Sequence, residues 1–288
     1  RIRPARRGLS AIRNFMAARA DLILTNSPRL AGRMRSDRSS ATPNSFAADF
    51  RDGRLNAQMA TSLSALRQAV EASQPQQPGD ERFSLNGRPG MSSLDVWMQA
   101  SVASVSDNRA GLGSDADFSI VHVGTDIMVS ENVLAGVLIQ YDQTDMTTGD
   151  WKSAVEGNGW MAGPYMVARI SDNTYLDLRA AWGQSDNTVN PIGTYTDSFE
   201  TDRWLIEANL AGDILHGGWR VTPGVGLAYF HESQDAYTDT LGIVIPGQTV
   251  TIGRLSAGPE VAYRFENAAG GYVEPYLNVT AIYDLDDA

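Results

Sequence analysis

The chain has 288 residues, enough for one large domain or two ordinary ones, and 42% of them are hydrophobic. It contains no run of ~18 uncharged apolar residues, so it encodes no transmembrane helix, although the half-polar strands of a membrane barrel escape this criterion. The net charge of −11 is uneven, because residues 1–38 carry ten arginines against Asp21 and Asp37 and leave −19 on the rest. The basic arm lacks interleaved aromatic residues and the acidic body repels phosphate, so we expect no nucleic acid partner.

The N-terminal part of the chain has helical periodicity. Residues 9–24, "LSAIRNFMAARADLIL", place apolar side chains at helical spacing with arginines between them, and "TNSP" ends the helix because the residue before Pro28 resists helical geometry. A second helix is predicted over 54–72, where Leu55, Met59 and Leu63 begin an apolar stripe. We therefore expect a helical segment over residues 1–73 and a Pro-, Gln- and Gly-rich linker over 74–91.

From Ser92 onward the chain alternates between apolar and polar residues, the period of two that is typical of β-strands. The pattern predicts about nine strands, most of them longer than the roughly 5–6 residues of ordinary soluble strands. Short turns such as "SEN", "SDN" and "HGG" alternate with longer polar connections, as in outer-membrane barrels. The predicted strands are 94–106, 117–129, 133–145, 158–170, 174–185, 202–215, 218–232, 248–265 and 271–284.

The alternate positions that form the polar face of these strands include charged residues of both signs in the middle of the strands. A dry core would have to pair every one of these charges, whereas a hydrated barrel interior tolerates them. Trp160, Trp204, Trp219, Tyr229, Tyr263 and Tyr283 lie near strand ends and fit the aromatic girdles of such barrels. The predicted lumen-lining residues are Asp177, Arg179, Glu207, Asp213, Arg220, Arg254, Glu260, Arg264 and Glu274.

Several strand–turn phrases in series resemble the C-terminal translocator barrel of bacterial autotransporters, the type V secretion family. They are "NGWMAGPYMVARISDN", "LRAAWGQSDNTVNPIGTYTDSFETDRWL", "GGWRVTPGVGLAYFHESQDAYTD" and "VEPYLNVTAIYDLD", and "AIRNFMAARADLILTNSP" resembles the helical segment before such barrels. The resemblance implies an all-β, antiparallel, up-and-down transmembrane β-barrel of twelve strands with a helix through its lumen. The predicted helix at 54–72 lies nearest the first strand and is the lumen candidate, with 9–24 as the alternative.

The resemblance also implies a function and a location. An outer-membrane translocator exports an N-terminal passenger and anchors it at the surface of a Gram-negative cell, and it is inserted by periplasmic chaperones and the barrel-assembly machinery. Outer-membrane lipid and the passenger are then partners, and the domain is monomeric. From the residues alone, the alternative function is that of a general porin or an outer-membrane barrel enzyme. A porin has no use for helices ahead of its first strand.

Two further expectations concern completeness and chemistry. About nine of twelve strands are recognisable and "DLDDA" is not an aromatic-ended final strand, so residues 92–288 are expected to form an incomplete barrel that lacks its passenger. His122, His216 and His231 are spread over the predicted strands, and no GxSxG, HExxH or GxxxxGK[ST] motif occurs. We therefore predict no enzyme, no catalytic or metal site and no cofactor.

Overall fold

The computed structural model describes residues 2–34, 45–51, 54–63, 94–107, 114–148, 153–266 and 272–285. One α-helix, α1 (Ile2–Thr25), and one turn of 3-10 helix (Leu30–Arg33) precede an antiparallel sheet. The sheet begins with β1 (Ser45–Arg51), β2 (Arg54–Ser62), β3 (Asp95–Asp107), β4 (Ser114–Ser130), β5 (Val133–Thr148), β6 (Ser153–Ser171), β7 (Thr174–Asn190), β8 (Asp197–Gly212) and β9 (Ile214–His216). The strands that follow in the chain are β10 (Trp219–Gln234), β11 (Tyr237–Thr238), β12 (Val244–Ile245), β13 (Gln248–Tyr263), β14 (Phe265–Glu266), β15 (Tyr272–Val273), β16 (Tyr276–Asn278) and β17 (Ala281–Asp284). Of these, β11 with β12 and β14 with β15 form two separate two-stranded sheets.

The main sheet is an up-and-down meander curled into a half-barrel around α1. Its strand order is β1-β2-β3-β4-β5-β6-β7-β8-β10-β13-β16, with β17 also paired to β13 and β9 to β10. Sequential neighbours pair because short connections join antiparallel strands. The all-β antiparallel prediction is confirmed, and the predicted count of about nine strands roughly fits. Eight of them correspond to β3–β8, β10 and β13, whereas the ninth, at 271–284, is divided into β15, β16 and β17. Neither helix within the described residues combines the length and the hydrophobicity that crossing a membrane requires.

The predicted helix at 54–72 is wrong over its first half. Residues Arg54–Ser62 form β2, which pairs with β1 on one side and β3 on the other. Leu55 and Met59 are four residues apart, which fits a helix, but they also share one parity of a strand, and both are exposed. Pairing with β3 decides between the two, and this contact is not local in sequence. Residues 64–72 and the predicted linker at 74–91 lie outside the described residues.

The helix predicted at 9–24 is confirmed and extends from Ile2 to Thr25. It ends where Asn26 donates both its backbone N–H and its side-chain amide to the carbonyl of Leu22, 3.0 and 2.8 Å away, two residues before Pro28. The helix buries one stripe against the sheet: Ile12, Phe15, Met16, Ala20, Leu22 and Ile23. This helix, the alternative lumen candidate, occupies the interior of the curled sheet, whereas residues 54–62 of the first candidate belong to the sheet as β2.

Three prolines inside strands lie where the hydrogen-bonded ladder to one neighbour is interrupted. Pro164 falls in a gap of the β6–β7 register, between the pairs at Ala162 and Tyr165. Pro223 precedes the first β8–β10 pair, and Pro259 separates the β17 and β16 pairings of β13. A residue without an N–H is tolerated at such unpaired positions.

Candidate helix-binding site inside the curled sheet

The two faces of the sheet differ in chemistry. Large apolar side chains are exposed on the outer face, whereas buried polar and charged side chains alternate with them on the inner face. On β8, for example, Trp204 and Ile206 are 38% and 53% exposed, while Arg203 between two outward positions is 2% exposed. An exposed apolar outer face across neighbouring strands is the surface of a membrane barrel.

Two aromatic clusters bound the apolar part of the outer face. Trp204 stacks on Tyr229 with ring centroids 4.9 Å apart, and Trp219 packs edge-on against Tyr263 at 4.9 Å. Trp219 and Tyr229 are ten positions apart on β10, which is ~33 Å along a strand and ~25 Å of height at the usual barrel tilt. This height of ~25 Å matches the height of the apolar band of outer-membrane barrels.

The nine residues predicted to line the lumen fall into two groups. Six are buried on inner-face positions of the strands: Asp177, Arg179, Glu207, Arg220, Arg254 and Glu260. The other three are partly buried near the short turns: Asp213 between β8 and β9, Arg264 between β13 and β14, and Glu274 between β15 and β16.

The structure pairs most of these charges with one another. Arg220 contacts Glu260 at 3.0 Å and Glu274 at 2.7 Å, and Glu274 also accepts from Arg264 at 2.7 Å. Arg179 lies 3.3 Å from Glu207. These cross-strand pairs stabilise the inner face, since a buried charge without a partner is costly.

Next to α1 lies a cavity of about 670 Å³ whose wall is polar in part and apolar in part. Four of the nine predicted residues line it: Asp177, Glu207, Arg254 and Glu260. The helix side of the cavity includes Asp21, which contacts Arg254 at 2.9 Å. These four charges therefore lie beside the C-terminal half of α1.

Arg19 holds the middle of α1 to the inner face. It forms a fully buried ion pair with Glu232 and donates to Asn187 at 2.7 Å and to Ser185 at 2.9 Å. Glu232 also accepts from the hydroxyl of Thr201 at 2.6 Å. A buried arginine is tolerated here because its charge is paired and several of its donors are used.

The wall opposite Arg19 is hollowed by Gly157 of β6. A Cβ at this position would lie 2.1 Å from the Asn187 amide oxygen and 2.9 Å from both Arg19 Nη1 and the Phe15 ring. A side chain here would therefore collide with the helix and with its hydrogen-bond partner. Sequence reasoning missed Arg19, Glu232 and Gly157, because nothing in their local patterns indicates that they meet.

The helix has a defined direction inside the sheet. Gly8, near its start, packs against Pro191 in the six-residue connection between β7 and β8. Beyond its end, Arg33 binds Asp95 at the start of β3 and Asp126 near the two-residue turn between β4 and β5. The N-terminal end of α1 thus lies at the end of the sheet with the longer connections.

The three histidines are dispersed. His122 is buried on β4, His216 is exposed in β9, and His231 stacks on Trp204 with centroids 5.6 Å apart. Within the part of the chain that the structure describes, no group of three or more His, Cys, Asp or Glu side chains is arranged to hold a metal ion.

Comparisons of the chain with family models, protein sequences and solved structures agree on one family. Residues 96–288 match the model of the autotransporter beta-domain. The chain is 23% identical over 208 residues to the uncharacterized protein YaiT of Salmonella typhimurium, covering 69% of this chain and 21% of that protein. It is 28% identical over 193 residues to the pertactin autotransporter of Bordetella parapertussis, covering 63% and 20%. The chain thus spans about a fifth of the length of these curated relatives.

Solved structures with similar folds come from the same class of protein. The translocator domain of the autotransporter NalP from Neisseria meningitidis aligns with a TM-score of 0.53 at 15% identity, covering 78% of this chain and 77% of that one. The beta domain of the Bordetella autotransporter BrkA aligns with a TM-score of 0.51 at 22% identity, covering 63% and 75%. With the match over residues 96–288, the chain belongs to the autotransporter beta-domain family of the bacterial outer membrane, and it shares the fold of these two domains.

Proposed function

We propose that this domain exports a passenger joined to the N-terminal side of α1 and keeps it anchored at the cell surface. The observation that carries the proposal is the direction of α1. Its first turns lie against Pro191 at the end with longer connections, and the segment after it reaches Asp95 and Asp126 near the short turns. In outer-membrane barrels the long loops face outward and the short turns face the periplasm. A polypeptide preceding α1 then emerges outside the cell.

The packing of α1 supports a translocator over a diffusion porin. Its apolar stripe belongs to one buried cluster with inner-face side chains of eight strands, among them Phe118, Met161, Leu205, Phe230 and Ile252. Arg19 adds a buried ion pair to this contact. An open porin needs a water-filled interior, whereas this helix packs against the wall over most of its length.

The export proposal is tested with a tagged passenger fused ahead of Arg1 in the full-length protein. We expect external protease to remove the tag from intact cells while the barrel stays in the outer-membrane fraction. The matched control replaces Val225 on the outer face with Arg, which hinders insertion and leaves the tag protected. A folded barrel whose tag is reached only after the outer membrane is permeabilised would overturn the proposal.

We also propose that the barrel-assembly machinery and periplasmic chaperones insert this domain, that its lipid partner is the outer membrane, and that it acts as a monomer. The long strands with exposed apolar outer faces support this, because such strands aggregate in water before they pair. Depletion of the assembly machinery should reduce the folded form in outer membranes, and an undiminished folded form would contradict this part of the proposal.

A further inference from the structure

Beyond the C-terminal end of α1, Arg33 lies in a pocket formed by Asp95, Asp126, Trp97 and Tyr165, named here the arginine pocket. The guanidinium donates from Nε to Asp126 Oδ2 at 2.8 Å and from Nη2 to Asp126 Oδ1 at 3.1 Å. Nη2 also donates to Asp95 Oδ2 at 2.9 Å, and the guanidinium carbon lies 5.5 Å from the centre of the Trp97 ring. Two carboxylates and an aromatic face thus recognise one cation.

The sheet itself orients the walls of the arginine pocket. Trp97 Nε1 donates to the Tyr165 hydroxyl at 2.7 Å, and this hydroxyl donates to Asp126 Oδ2 at 2.5 Å. Two glycines leave space for the rings. A Cβ at Gly124 would lie 2.4 Å from Trp97, and one at Gly136 would lie 2.6 Å from Tyr165. Four neighbouring strands, β3 to β6, therefore build the pocket without any atom of Arg33.

The geometry is specific for a guanidinium group. The bidentate contact with Asp126 uses the planar fork of arginine, which the single ammonium of lysine does not reproduce. The ring of Trp97 adds an attraction that arginine uses more often than lysine. Apolar side chains surround the arginine pocket. Leu30, Ala31 and Met34, on either side of Arg33 in the chain, are buried in one cluster with Leu134, Leu138 and Val167.

We infer that the arginine pocket is a stop site that binds Arg33 and sets the register of the whole N-terminal segment. The apolar stripe of α1 presents similar side chains at each turn, so its apolar contacts discriminate weakly against a slip of one turn, 5.4 Å, and buried polar contacts have to set the register. Arg19 makes one such contact within α1. Arg33 makes a second one beyond the helix, and its bidentate contact with Asp126 is lost when the chain moves by one turn. The inference deepens the proposed function, since the register decides where movement of the chain stops.

The register can be measured by disulfide trapping, because the 288 residues contain no cysteine. A Cβ at Gly8 would lie 3.8 Å from Pro191 Cβ, which is the mean separation in disulfides. G8C/P191C therefore reports the native register, and I12C/P191C reports an outward slip of one turn. The full-length protein is used in outer membranes, in the parent background and with R33Q, R33K or R29Q. Arg29 is the matched control, because its side chain is 59% exposed and contacts Glu260 outside the pocket.

We expect R33Q to raise the ratio of slipped to native disulfide about tenfold or more, which corresponds to about 1.4 kcal/mol, because it removes the charged hydrogen bonds to Asp126 and Asp95. R33K should raise it as well, and R29Q should raise it less, because the Arg29 side chain is 59% exposed and water screens its ion pair with Glu260. An unchanged ratio in R33Q, or an equal rise in R29Q, overturns the inference. If R33Q is not heat-modifiable and so has not folded, D95N is read in its place with the same expected rise, and an unchanged ratio there overturns it. If the disulfide ratios are as expected but the passenger stays inside the cell, the result counts against the export proposal and not against this inference.

Discussion

Gly157 of β6 lies close to both Phe15 and Arg19 of α1, and we predict that Gly157→Ala loosens the helix. The added methyl would lie 2.1 Å from the Asn187 amide oxygen, so Asn187 has to move and its 2.7 Å bond from Arg19 is lost or lengthened. Overpacking costs about 1–3 kcal/mol, and a hydrogen bond to a charged group contributes about 1.5–3 kcal/mol. We therefore expect the free energy of undocking α1 to fall by about 2 kcal/mol.

The assay is hydrogen exchange of the α1 amides in the folded, membrane-inserted protein, which reports local opening. A loss of about 2 kcal/mol corresponds to exchange that is ~30-fold faster. The matched control is Gly224→Ala on the same inner face, where a Cβ would approach nothing closer than the Gly258 carbonyl oxygen at 3.7 Å. Since alanine is favoured over glycine in strands, Gly224→Ala should leave α1 protected. Equal exchange rates in the two variants would refute the reasoning.

Three further predictions follow from the two faces of the sheet. Glu232→Gln should weaken α1 docking by ~3–5 kcal/mol, because it leaves the buried Arg19 charge without its carboxylate, and the added mutation Arg19→Met should restore part of the loss in the same exchange assay. Val225→Arg on the outer face should hinder membrane insertion by ~2–4 kcal/mol near the midplane, whereas Ser256→Arg beside the inner cavity should cost much less, and equal losses of folded protein would contradict the assignment of the faces. The full-length protein should be heat-modifiable, with boiled and unboiled samples running differently on a gel, and identical mobility together with solubility in the absence of detergent would argue against a membrane barrel.

The sequence alone was sufficient to predict the long strands β3–β8, β10 and β13 and the faces they present. Alternation of apolar and polar residues is a local property, so it can be read wherever a strand has one face in lipid and the other toward polar groups. The positions of Trp204 and Ile206 outward, and of Glu207 inward, follow from parity once the strand is recognised. The strands run further than predicted, as β7 does to Asn190, because polar residues beyond the aromatic cluster can continue a strand in water.

Only the tertiary structure decided what α1 binds and which segment enters the sheet. The spacing of Leu55 and Met59 fits a helix and a strand alike, and pairing with β3 selects the strand. Arg19 and Glu232 are separated by 213 positions, so no pattern within a helix or a strand links them. Gly157 looks like any strand glycine until Phe15 and Arg19 occupy the space beside it. The face on which a strand residue lies follows from its position relative to its neighbours in the chain. The contacts of α1 depend instead on how far the sheet curls and on the depth at which the helix lies.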